Sequence, residues 1–200
     1  ADGVRLLDCE GEVVDTLVYG FGAGPTLFHD TKAAEIWGSH LETFPSLPAW
    51  RAYENVLSLI DRGLDPLDVL IERAHGKGLE FFASSRQSHQ ADPADVGDVF
   101  NWQFRIGHPE WCLTGRGKHA FNWIHPEVRD ERFAIIEETV KEYDVDGFEV
   151  DWGYWPHYFE EGEAEENAHI LTEYMARVRT TVDEASKIKG KKIELGARFL

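Results

Sequence analysis

Three times along this chain an amphipathic helical stretch leads, through a turn of only a few residues, into an apolar strand-like run. That order restricts the fold to parallel βαβ units, because strands joined through helices packed on the sheet run in the same direction. Residues 66–75 carry apolar side chains at helical spacing, Gly76-Lys77-Gly78 stops them, and residues 79–84 read as a strand running into Ser85-Arg86-Gln87-Ser88-His89. Pro126 opens the second helix with acids in its first turn. Phe133, Ile135, Ile136, Val140 and Tyr143 form its apolar stripe, and a strand over residues 147–152 follows. The third helix covers about residues 164–187, with Ile170, Leu171, Tyr174, Met175, Val178 and Val182 on one face. Gly190 ends it before a strand over residues 192–200. Ahead of all three, residues 12–20 form a β-branched run that ends in a glycine-rich loop at residues 20–25.

Long inserts fall after the strands, at residues 20–66, 84–126 and 153–164, whereas the helix-to-strand turns are short. A (β/α) barrel has this asymmetry because its function is built from loops at the carboxyl ends of the strands. A doubly wound sheet gives much the same pattern, but no GxGxxG follows a strand and opens a helix here; Gly20-Phe21-Gly22-Ala23-Gly24 is too compact and runs into Pro25. An eight-stranded barrel takes about 250 residues, and the last of the four visible strands is still running at Leu200. The expectation is one α/β domain over residues 1–200, a partial (β/α)8 TIM-type barrel of about four to five parallel strands. Its open edges require cover by loops or by self-association.

Acidic residues outnumber basic ones 37 to 20, a formal charge of -17, which disfavours nucleic acid and anionic lipid surfaces as partners and promotes solubility. With 42% hydrophobic residues and no apolar run near the roughly 20 residues of a membrane span, the chain reads as soluble and globular, with no membrane partner. Ala1-Asp2-Gly3-Val4 has neither the basic nor the apolar region of a signal peptide, which leaves a mature, cut or cytoplasmic chain. Cys9 and Cys112 lack metal spacing, and a single disulfide between them stays open.

Chemistry concentrates in residues 147–152. Alternation places Phe148, Val150 and Trp152 on one face and Glu149 and Asp151 on the other. Acids are rarely buried without a partner, so a buried strand that aims two of them the same way is a candidate active-site strand.

Residues 68–86, 122–130 and 143–156, in that order, resemble the glycoside-hydrolase-like barrel proteins of bacteria. In those proteins the motif matched by Asp144-Val145-Asp146-Gly147-Phe148-Glu149-Val150-Asp151 lies on the fourth barrel strand, so the resemblance makes the visible strands two to five. Asp146, Gly147, Glu149, Asp151, Trp152, Tyr154 and an offset Pro156 are also similar to the fourth strand of chitinase-type hydrolases. Gly153 stands where that family has its proton-donating glutamate. The α-amylase-like barrels place a nucleophilic aspartate at the position of Asp151, with arginine two residues before it where this chain has Glu149.

What these resemblances imply is glycoside hydrolysis, which uses one protonated and one ionised carboxyl group about 5–5.5 Å apart for retention and about 6.5–9.5 Å apart for inversion. Alternate strand residues lie about 6.6 Å apart at their Cα atoms. Asp151, at the strand end, is the expected nucleophile or electrostatic stabiliser, and Glu149 the expected acid; the other reading makes Glu149 an interior acid paired with Arg86 or Arg198.

The same alignment places Arg86, His89, Asn122, His125 and Arg198 near the barrel mouth, where they can hold sugar hydroxyls or stabilise charge. His125 alternatively caps the helix opened by Pro126, and Arg198 balances buried acid. Trp102, Trp111, Trp123, Trp152 and Trp155 fall in or beside the loops after strands, and with Tyr154 they offer flat faces for sugar rings; core packing is the other reading. A metal held by His89, His119, His125 or His157 with Asp151 lacks HxH or HExxH spacing, and Ser84 and Ser85 lack an esterase elbow. The expected function is that of a glycoside hydrolase, or a protein like one, acting on an oligo- or polysaccharide without a cofactor. The alternatives are a non-catalytic carbohydrate-binding module and a metal-dependent hydrolase.

Overall fold

Helices and strands alternate as the spacing requires in the computed structural model, which describes residues 14–199. Strand β1 (Thr16–Gly20) is followed by a short hairpin, β2 (Gly22–Ala23) and β3 (Thr26–Leu27), and then by helices α1 (Leu47–Ile60) and α2 (Pro66–His75). Strand β4 (Glu80–Arg86) leads into a long loop that holds helix α3 (Gln103–Gly107) and a single 3-10 turn at Pro109–Trp111. Helix α4 (Pro126–Glu142), strand β5 (Gly147–Asp151), helix α5 (Ala164–Lys189) and strand β6 (Glu194–Arg198) complete the order. The main sheet has the order β1-β4-β5-β6, parallel throughout. Sequential parallel strands lying side by side, with helices crossing between them, form a partial (β/α) barrel.

The register fixes which side chains share a layer. Val18, Phe82, Gly147 and Glu194 form one row across the sheet, Gly20, Ser84, Glu149 and Gly196 the next, and Arg86, Asp151 and Arg198 the row at the carboxyl ends. These rows face away from the helices. The opposite face carries Phe81, Ala83, Phe148 and Val150, all at 0% exposure, packed with Leu67 and Ile71 of α2, Val128, Ile136 and Val140 of α4, and Val178 and Val182 of α5. Gly147 has no alternative: a Cβ there would lie 2.4 Å from the ring of Phe82, which rests over it.

The strands match the expected spans to within a few residues. Residues 12, 13 and 200, at the outer ends of the first and last expected strands, lie outside the described residues, as does Cys9 with its expected pairing to Cys112. The stretch 20–66 is more ordered than its loop-like composition predicts. Ser46 Oγ accepts from Ala49 N at 3.3 Å and Pro48 sits in the first turn, so α1 has a cap and a start signal. None of its residues is fully buried, and Ala49, Tyr53, Val56, Leu57 and Ile60 make only a half-covered apolar face. Gly190 ends α5 in the left-handed conformation (φ 66°). Among the described residues no helix is long and apolar enough to cross a membrane.

At the amino ends of the strands one carboxylate ties three parts of the chain together. Asp146 Oδ2 accepts from Phe81 N at 2.8 Å and pairs with His75 Nε2 at 2.7 Å, while Oδ1 accepts from Lys191 Nζ at 3.1 Å. Burial alone would raise its pKa. The bonds from Phe81, His75 and Lys191 outweigh burial and hold it below the ordinary carboxylate value. A carboxyl group lowered in this way stabilises the fold above its unfolded value near pH 4 and loses that contribution as the pH falls through the lower folded value. Asp146→Asn should therefore cost about 1–3 kcal/mol at neutral pH. Urea unfolding at pH 7 and pH 3 should show the difference between variant and parent shrinking at the lower pH.

Candidate active site

The carboxyl-end row places Asp151 on the central strand between two arginines, Arg86 on β4 and Arg198 on β6. Asp151 is 4% exposed, and its Oδ1 accepts from Gly153 N at 2.9 Å, a local turn that fixes the carboxylate plane. Its Oδ2 lies 3.7 Å from Arg198 Nη1, and the other terminal nitrogen of the same guanidinium, Nη2, is 2.7 Å from Glu149 Oε1. Ser84 Oγ donates to that same Glu149 oxygen at 2.7 Å. One arginine thus spans both acids. Of the two partners expected for Glu149, the structure selects Arg198.

The backbone around Asp151 is held on both sides. Gln87 N donates to Asp151 O at 3.0 Å, and Trp152 N donates to Arg198 O at 2.9 Å. Tyr174 OH donates to Gln87 Oε1 at 3.1 Å, which connects this end of the sheet to α5.

Arg86 leaves the acids and stacks outward, its Cζ 4.1 Å from the Tyr154 ring centroid. His89 stacks near Tyr154 (6.1 Å, 27°) and against Phe100 (5.3 Å, 32°). Arg86, Tyr154, His89 and Phe100 therefore form one run of contacts, tilted at its Phe100 end, that joins the loops after β4 and β5. Burial, followed by the charges of Arg105, Arg132 and Arg86, pushes the His89 pKa down to about 3, so this imidazole is neutral at physiological pH. Trp155, 42% exposed, stands beside His157 with its backbone in the left-handed region (φ 53°). Such a conformation costs a non-glycine residue about 1–3 kcal/mol and clusters at functional sites.

Other expected residues lie elsewhere. Trp152 is 5% exposed and packs against Trp123, Tyr158 and Tyr174, because the face it shares with Phe148 and Val150 is the helix side. Trp102 and Trp123 are also buried, and Trp111 is engaged by the imidazoles of His108 (3.8 Å, 5°) and His125 (5.8 Å, 26°). Of the five loop tryptophans only Trp155 is exposed. Asn122 Oδ1 accepts from Ile124 N at 3.1 Å and closes the turn into α4. His125 occupies the cap position of α4 through its backbone, with no side-chain capping bond. His119 lies 3.6 Å from Asp92, and among the described residues no group of three or more His, Cys, Asp or Glu side chains could hold a metal ion.

Sequence reading weighed Ser84 only as an esterase nucleophile and gave no role to Phe100 or Gln87. Ser84 could have been found, since alternation along β4 puts it on the face of Arg86 and register puts it beside Glu149. Phe100 sits 43% exposed in an insert with no periodicity to flag it.

Comparison with known proteins agrees with the barrel fold. Glycosyl hydrolase YngK of Bacillus subtilis (strain 168) is 29% identical over 109 residues, 54% of this chain and 21% of that protein. Glycosyl hydrolase DigH of Escherichia coli (strain K12) is 25% identical over 137 residues, 63% of this chain and 30% of that protein. The chain thus spans less than a third of the length of these relatives. Among solved structures, α-L-fucosidase isoenzyme 2 from Paenibacillus thiaminolyticus superposes over 84% of this chain and 25% of its own, with a TM-score of 0.52 and 17% identity, a likeness of fold. The model of the family described as Glycosyl hydrolase-like 10 matches residues 29–185. With an acid at the carboxyl end of a parallel barrel strand and a family match over most of its length, the chain belongs to the glycosyl hydrolase-like 10 family.

Proposed function

We propose that this chain supplies the acid-bearing strands of a glycoside hydrolase site, with Asp151 as the ionised carboxylate that attacks or stabilises the anomeric carbon of an oligo- or polysaccharide. The observation that carries this reading is the placement of Asp151: buried, on the central strand's carboxyl end, in register between Arg86 and Arg198, with one oxygen fixed by Gly153 N. A carboxylate held in one orientation at the barrel mouth is prepared for the positive charge that develops in an oxocarbenium-like transition state. Its Oδ2, at 3.7 Å from Arg198, keeps the freer position.

Glu149 has a different part in this reading. Its Oε1 is an acceptor for both Ser84 and Arg198, so its first role is to orient the guanidinium beside Asp151. Arg86, His89, Tyr154 and Trp155 bind the sugar around the acid, with the rings of Tyr154 and Trp155 supplying stacking area. A second reading, carbohydrate binding without turnover, is favoured by one observation: a single arginine engages both acids of β5.

Asp151→Asn should lower turnover of a cleaved glycan on the order of 10³-fold or more while leaving sugar affinity within a few fold. Steady-state kinetics together with calorimetric binding separate the two quantities, and unchanged turnover removes Asp151 from the mechanism. Glu149→Gln distinguishes an orienting residue from a proton donor. If Glu149 orients Arg198, nitrophenyl glycosides and natural glycosides lose rate alike; if it donates the proton, the nitrophenyl substrate, whose leaving group needs none, is spared. Trp155→Ala should weaken sugar binding with little change in stability, whereas Trp152→Ala should destabilise the fold by about 3–5 kcal/mol. Thermal unfolding and sugar titration of the two variants check that division.

A further inference from the structure

Beneath the loop after β4, against α4, the protein folds two guanidinium groups into its interior. Arg105 is 0% exposed and Arg132 2%. Both lie against one indole, with Cζ 4.1 Å and 5.2 Å from the Trp102 ring centroid. The most enclosed carboxylate among them is Glu131; Asp98 and Glu35 act on the group from partly exposed positions. Glu131 Oε1 accepts from Trp102 Nε1 at 2.6 Å, and its Oε2 is 3.7 Å from Arg132 Nη1, too far for a hydrogen bond.

Much of the hydrogen-bonding capacity here is unused. Arg105 donates to the carbonyls of Ala91 and His89, which ties down the loop that carries His89. Arg105 Nε, Arg132 Nε and Nη1, Glu131 Oε2 and His89 Nδ1 have no hydrogen-bond partner among the described residues. Buried polar groups are almost always bonded, and buried charges more strictly so. Arginine does not escape by losing its proton. Among the most enclosed groups, two cations, one carboxylate and a neutral imidazole leave one positive charge in excess, with Asp98 and Glu35 at the partly exposed edge. Burial first, and then the charge of Arg132, lower the Arg105 pKa to about 9, which still keeps Arg105 cationic at neutral pH.

We infer that Arg105 and Arg132 hold a small monovalent anion of the halide class, with the Trp102 ring as one wall. A monovalent ion matches the excess of one charge; a phosphate dianion overshoots it. A spherical ion accepts N–H groups from several directions, whereas a water molecule accepts few and leaves the charge uncompensated. The chain's formal charge of -17 gives its outer surface little general attraction for anions, so a halide effect reports on this interior site. The bound ion braces Arg105 and, through the His89 and Ala91 carbonyls, the loop that presents His89 at the barrel mouth.

The test is thermal unfolding of the protein in sodium gluconate, with chloride or bromide replacing gluconate at constant ionic strength. The Tm should rise by about 2–4 °C and saturate with halide concentration, as binding to the folded state alone requires. Arg132→Met, which removes the charge and keeps the bulk, should abolish the rise. A second measurement needs no variant: bromide soaked into crystals of the unaltered protein should give an anomalous peak between Arg105 and Arg132. A Tm indifferent to halide, an equal rise in Arg132→Met, or crystals with water alone at that position overturns the inference.

Discussion

Everything in this fold depends on burying one face of a four-stranded parallel sheet. Phe81, Ala83, Phe148 and Val150 are completely covered by α2, α4 and α5, and each fully buried Phe or Val side chain contributes about 1.5–3 kcal/mol relative to exposure. Because strand side chains alternate, committing those residues to the helices commits Ser84, Arg86, Glu149, Asp151 and Arg198 to the other face. A slip of one residue would exchange the two sets and bury the charges. The positions of the acids are therefore a by-product of where the core sits.

The charges on the open face then settle among themselves. Asp151 takes one bond from its own turn and shares Arg198 with Glu149; Ser84 adds a donor to Glu149 and none to Asp151. The result is an asymmetric pair: Glu149 is the better-tied acid and Asp151 the more buried one. Arg86, with no ion pair to either acid, is spent on Tyr154 instead, and so joins two loops that the sheet itself does not connect. At the opposite end of the strands, Asp146 does comparable work for stability, tying β4, α2 and the turn before β6.

What could be read from the sequence was what periodicity encodes. The period of two in residues 147–152 gave the correct faces for Glu149, Asp151 and Trp152, and Gly76–Gly78 and Gly190 gave the ends of α2 and α5 within a few residues. The same alternation that made Asp151 a candidate also assigned Trp152 to the core, and its aromatic character obscured that. Helix α1 escaped notice because its apolar face is only half covered, so its composition resembles that of a loop. The partners of Arg105 and Arg132 were illegible for a different reason. Arg105 lies in an aperiodic insert, and the contact of these side chains with Trp102 is tertiary, visible only once the loop has closed on α4.

Phe82 lies over Gly147, one layer below Ser84 and Glu149, in space that any Cβ on Gly147 would invade. That ring is an apolar floor. It separates the charged layers of Glu149 and Asp151 from the amino ends of the strands. Under the proposed carbohydrate reading, a sugar beside Asp151 has hydrocarbon beneath it and charges around its rim, and its further contacts lie sideways along the loops. On that reading, length in the ligand, more than depth in the protein, sets how much surface the two share.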